Sequence, residues 1–137
     1  MATRSSYRVI ERFTNRLGSL IEKELVLVHV HNDGYPAGHP CEIADWLGSK
    51  DLDWNGPGCI AAQLASRLKT RSGGTYIESL DSRGYLDEDY CYDIVVEGPK
   101  ITFKAYEVPY VDEGEKPEFK EIYSGSPKGF CKKHSHE

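Results

Sequence analysis

The sequence predicts an α+β domain: a mainly antiparallel sheet, made of an N-terminal hairpin and a C-terminal meander, with two helices packed on one face. Three observations lead there. Two stretches of period-two patterning, 6–14 and 20–31, are separated by a short turn. Two stretches of helical period then follow, 40–48 and 59–70. From residue 75 onward the alternation returns, interrupted by glycine- and proline-containing turns.

In the first strand Tyr7, Val9, Glu11 and Phe13 alternate with Arg8, Ile10 and Arg12. Asn15-Arg16-Leu17-Gly18-Ser19 turns the chain, with Gly18 free to take a positive φ. In the second strand Val26, Val28 and Val30 point to one face, and Leu25, Leu27, His29 and His31 to the other. Both faces begin apolar, which predicts a central strand.

Asp33-Gly34 then makes a tight turn, and Pro36 and Pro40 forbid regular pairing. The short helix over 40–48 has Pro at its start and Gly at its end, with Ile43, Trp46 and Leu47 on one side. The longer helix over 59–70 carries Ile60, Leu64 and Leu68, and Arg67, Lys69 and Arg71 near its C-terminus complement the helix dipole. Strands are expected over 75–80, 90–96, 101–108 and 119–124, and one helical turn over 126–131. The chain reads as a single domain over 1–130 and a frayed tail over 131–137.

The chain has 137 residues, 39% of them hydrophobic and 28% charged, enough to fold around one core. It contains no apolar run long enough to span a membrane, and its first residues lack a signal core, so the expected compartment is the cytoplasm. There the widely spaced Cys41, Cys59, Cys91 and Cys131 read as free thiols, and no C-x-x-C pair suggests zinc. Residues 1–70 hold 8 basic and 8 acidic side chains, whereas 71–137 hold 9 and 14, so the second half carries the entire net charge of −5. Direct nucleic-acid binding is not expected. The acidic half is read either as a solvated face or as a surface for a basic protein partner.

Three constellations bear on chemistry. His29, His31 and Asp33, with His39 and Cys41 nearby, place two imidazoles about 7 Å apart along one strand, a spacing from which a transition metal can be shared. That arrangement defines one reading, a small metal-dependent hydrolase. Cys59 follows Gly56-Pro57-Gly58 near a helix N-terminus, where a thiol can be activated, but no phosphate-loop Lys follows. Third, nine tyrosines and two tryptophans include Tyr35, held in a constrained Gly-Tyr-Pro turn, and Trp46. No nucleophile elbow, dinucleotide fingerprint or H-E-x-x-H motif is present, and no cofactor is implied.

The stretch Val28-His29-Val30-His31-Asn32-Asp33-Gly34-Tyr35-Pro36 resembles an Asp-Gly-Tyr-Pro motif of small, largely uncharacterised proteins of tailed phages and prophages. The later Tyr90-Cys91-Tyr92-Asp93-Ile94 and the segment 119–127 are similar to the same group, although many members carry Trp where Asn32 stands. The resemblance implies a non-enzymatic accessory protein that binds a host target in the host cytoplasm, with counter-defence as its purpose. Two modes are then expected. The acidic stretch 81–121 engages a basic host protein, or His29, His31, Asp33, Tyr35, His39 and Trp46 form a site for a nucleotide-like ligand. Long strands with aromatic faces also suit a homodimer, and hence a structural or assembly role.

Overall fold

A computed structural model describes residues 3–69 and 73–134. Two strands, β1 (Ser5–Thr14) and β2 (Leu20–Val30), are followed by helices α1 (His39–Leu47) and α2 (Gly56–Leu68). Then come β3 (Thr75–Glu78), a 3-10 turn (Leu80–Ser82), β4 (Tyr90–Glu97), β5 (Lys100–Glu107), β6 (Lys120–Gly125) and α3 (Pro127–His134). The fold is α+β, with one six-stranded sheet in the order β3-β2-β1-β4-β5-β6.

The hairpin forms as its sequence dictates. Asn15 caps the turn, its Oδ1 accepting from Leu17 N–H at 2.9 Å and Ser19 N–H at 3.0 Å, and Gly18 takes φ 81°. The ribbon slips register between Val9 and Ile10, a bulge that leaves Leu25 unmatched. Four of the five strand pairings are antiparallel. The exception is β1 with β4, which run parallel from Ser5 beside Tyr90 to Glu11 beside Val96 and join the two halves of the chain at the sheet's centre.

All three helices cover one face. Tyr7, Val9, Val28, Val30, Tyr92, Ile94, Val96, Phe103 and Ala105 rise from the sheet into one cluster with Ile43, Ala44, Leu47, Ile60, Leu64 and Phe130. The opposite face buries Leu27, His29, Cys91, Asp93 and Val95. It is covered by the segment that crosses from β3 to β4.

Several boundaries differ from those read in the sequence. The second helix begins at Gly56 rather than residue 59, because Pro57 occupies its first turn, where a missing N–H costs nothing. Its expected end at Thr70 lies outside the described residues. The third strand stops at Glu78 and gives way to the 3-10 turn. Cys131–His134, expected as tail, are the last turn of α3, because Pro127, Phe130 and His134 form a buried stripe at helical spacing. Residues 135–137 lie outside the described residues. Of the four cysteines expected as free thiols, Cys41 and Cys131 form a disulfide between α1 and α3, with Cα atoms 4.8 Å apart, and Cys59 and Cys91 are free. No helix among the described residues is long and apolar enough to cross a membrane.

Candidate functional site

Sequence reasoning centres on the Asp-Gly-Tyr-Pro corner, and the structure explains its composition. Asp33, not Gly34, takes the left-handed conformation, at φ 59°. Asp33 O accepts from His39 N–H at 3.2 Å, which closes the loop onto the start of α1. Gly34 is required for a different reason. It lies so close to Ser5 that any Cβ would collide with the Ser5 side chain. Its N–H donates to Thr3 O at 3.0 Å, and its carbonyl accepts from the Tyr92 hydroxyl at 2.7 Å.

His39 completes this corner. The Tyr7 hydroxyl lies 2.5 Å from His39 Nδ1, and His39 Nε2 lies 2.9 Å from Asn32 O. A carbonyl only accepts, so Nε2 carries the hydrogen and Nδ1 receives the Tyr7 proton. Burial pushes His39 below the ordinary histidine range, against the opposing pull of its bond to Asn32 and of nearby Asp33. Burial, reinforced by Tyr92 and Glu42, holds Tyr7 well above the usual phenol range. The pair is therefore neutral and structural in character. Trp46 is also packed away, with the Arg67 guanidinium 4.5 Å above its ring.

His29 lies on the other side of the sheet. Its ring is 3% exposed and its Nδ1 sits 3.2 Å from Ser6 Oγ. Ser6 donates its single hydroxyl proton to Glu88 Oε2 at 2.9 Å, so His29 Nδ1–H is the donor to Ser6. The order is acid, serine, histidine, with the hydroxyl between the other two. This cannot activate serine as a nucleophile, which needs the histidine to accept the hydroxyl proton. Burial lowers the His29 pKa, with Glu88 acting the other way. His31 packs against both His29 and Tyr76, at centroid distances of 5.0 and 5.2 Å.

The sheet therefore separates the candidate residues. His29 and His31 share one face, while His39 and Trp46 belong to the helical side, and Asp33 and Tyr35 stand at the end between them. Tyr35 alone of the aromatic candidates is open, at 44% exposure. Among the described residues no group of three or more His, Cys, Asp or Glu is placed to hold a metal ion.

Glu88 and Asp93 belong to the acidic stretch that the sequence predicts as surface, yet both are buried. Glu88 accepts from Ser6, from Gly84 N–H at 2.8 Å and from Leu86 N–H at 2.7 Å, and so fastens the crossing segment to the sheet. The Cys91 thiol also points at Glu88, and burial, then the Glu88 charge, raises its pKa far out of the reactive range. Asp93 receives Arg8 through Nε at 3.0 Å and Nη2 at 2.7 Å, and Arg83 at 3.2 Å. The Arg83 guanidinium is in turn stacked 4.4 Å over Phe119. The polar triads are thus internal fastenings.

With those two carboxylates removed from the surface, the remaining ones converge. A groove of about 630 Å³ opens between residues 84–89, the end of the crossing segment, and 108–117, the β5–β6 loop. Exposed Asp87, Asp89, Asp112, Glu113 and Glu115 line it, Glu88 closes its floor, and no Lys or Arg is among its described lining residues, although Arg4 pairs with Asp87 at 3.6 Å. Tyr85 and Tyr110 also line it, 52% and 91% exposed. The groove flanks the starts of β1 and β4, the same sheet end at which β2 runs into the Asp-Gly-Tyr-Pro corner. The charge asymmetry of the sequence located this region. What it lacked was the pairing of β4 with β5, which brings the two loops together.

Comparison with protein-family models, with curated proteins and with solved structures finds no match.

Proposed function

We propose that this chain is a non-enzymatic binding protein that takes a basic segment of a partner protein into the acidic groove. The observation that carries the reading is the lining of that groove: five exposed carboxylates, no cationic side chain, and two exposed tyrosines. Asp87 is paired with Arg4 Nη1 at 3.6 Å, but the net negative charge of the concave site still attracts Lys and Arg side chains over a Debye length, and accelerates encounter with a positively charged surface. Tyrosine faces add contact area and cation–π attraction for the same groups. In the phage setting that the sequence resemblance implies, the partner is a host protein whose basic working surface is occluded, which is counter-defence by competition.

The test is capture from a bacterial host lysate, read by mass spectrometry, with the wild-type chain and with the triple variant Asp112→Asn/Glu113→Gln/Glu115→Gln. All three side chains are exposed and outside the core, so the fold is retained. The expected result is a basic host protein held by the wild type, lost from the variant and released by added salt. Equal capture by both proteins, or none by either, removes the reading.

A further inference from the structure

The third helix has eight residues, with Gly129 in its first turn. A helix this short does not persist in water on its own propensity and depends on what it is packed against. Its Pro127 and His134 are buried and Lys133 Nζ donates to Ile122 O at 3.1 Å, and two further attachments hold it. Phe130 is fully buried, with its ring centroid 4.7 Å from Phe103, 5.4 Å from Tyr123 and 6.0 Å from Tyr92. The other is the Cys41–Cys131 disulfide, which spans 90 residues of sequence and ties α3 to α1. The two helices fit closely beside it, since a Cβ on Gly48 would come 2.8 Å from Lys128 Cγ. The two cysteines differ in burial: Cys41 is buried, whereas Cys131 is half-buried.

We propose that this disulfide is a redox latch on α3: its reduction lets the helix leave the sheet and uncovers the aromatic floor of Tyr92, Phe103 and Tyr123 while the strands stay folded. The chemistry is thiol–disulfide exchange with a small dithiol or two monothiols. The reductant supplies two electrons and two protons, the Cys41–Cys131 bond breaks, each sulfur becomes a thiol, and the reductant departs as its own disulfide. The strands survive because α3 covers one end of the helical layer, whereas Ile43, Leu47, Ile60 and Leu64 keep the centre closed. The oxidised and reduced forms then differ in a contiguous apolar surface, the kind of feature that decides association.

The test is hydrogen exchange by mass spectrometry on the full chain, with and without dithiothreitol, alongside a count of alkylated thiols. Before reduction two cysteines, Cys59 and Cys91, are expected to react under denaturing conditions, and afterwards all four. On reduction the α3 amides are expected to exchange at least roughly tenfold faster, with those of β1 and β4 unchanged. Cys131→Ser is expected to show the fast pattern with or without reductant. Four reactive thiols before reduction, unchanged α3 exchange, or loss of protection in the strands together with α3 would each overturn the proposal.

Discussion

The Tyr7 hydroxyl donates to His39 Nδ1, because the Asn32 carbonyl on the other side of the ring holds the hydrogen of the neutral imidazole on Nε2. A protonated His39 would carry a hydrogen on each nitrogen and would turn the bond round, with Nδ1–H donating to the hydroxyl oxygen and the Tyr7 proton losing this acceptor. The strand β1 and the start of α1 are therefore joined by a contact whose direction is set by the charge of His39.

A pH dependence follows. Burial lowers the pKa of both His39 and His29 in the folded state. In the unfolded chain both titrate near about 6.5. Above that value neither state binds the protons and the stability is complete. As pH falls below it, the unfolded state takes up protons first, so stability declines until the folded values are passed. Urea unfolding midpoints are expected to fall between about pH 7.5 and about pH 5.5, and His39→Gln is expected to flatten the slope. A midpoint that stays level across that range in the wild type contradicts the assignment.

Glu88 gives a sharper test, because the isosteric change is the damaging one. Its Oε2 receives Ser6 and Gly84, its Oε1 receives Leu86, and every partner is a donor. In Glu88→Gln one of those positions becomes an NH₂ group and meets a donor head-on. The expected loss is about 2–3 kcal/mol in denaturant unfolding. A variant as stable as wild type would show that the crossing segment is held by something else.

Ser5 and Gly34 form a pair with opposite expectations. Ser5 Oγ is buried, with no hydrogen-bond partner among the described residues. Ser5→Ala removes an unsatisfied hydroxyl and is expected to raise stability by about 1 kcal/mol. Gly34→Ala drives a methyl group into Ser5 and is expected to cost about 2 kcal/mol or more. Thermal melts of the two single variants decide it, and a destabilised Ser5→Ala would mean the hydroxyl has a partner.

Asp93 neutralises two guanidinium groups at once, so its removal and that of one arginine are not equivalent. Asp93→Asn leaves Arg8 and Arg83 without their shared carboxylate, Arg8 keeping only the more exposed Glu24 at 3.4 Å, at an expected cost of about 3 kcal/mol. Arg83→Met keeps the bidentate Arg8–Asp93 pair and is expected to cost less. Equal losses in the two variants would argue against a shared triad.

The class of fold was legible because the periods are clean. Tyr92, Ile94 and Val96 alternate with Cys91, Asp93 and Val95, and Ile60, Leu64 and Leu68 repeat at helical spacing. Local signals cannot report which distant strands meet, so the parallel pairing of β1 with β4 was invisible. With it went the meaning of Arg8 and Asp93, which read as polar alternation and prove to be cross-strand partners. The stripe of Pro127, Phe130 and His134 was present in the sequence, but the surrounding lysines masked it as tail. The disulfide lay beyond the reach of spacing, because widely separated cysteines leave their pairing open. The acidic region was legible as charge. Its division into inward Glu88 and Asp93 and outward groove carboxylates depends on strand register, which composition does not contain.

The central parallel seam also sets the order of events when the chain folds. Arg8 and Asp93 are 85 residues apart in sequence, yet they face each other across it. Hairpins such as β1–β2 and β4–β5 can close early on local contacts, but their apolar faces remain half covered until the two halves meet. Closing the seam is then the step expected to be slow. A nascent chain released before residue 97 lacks the strand against which β1 is to rest, and exposes Tyr7 and Val9 to any neighbour.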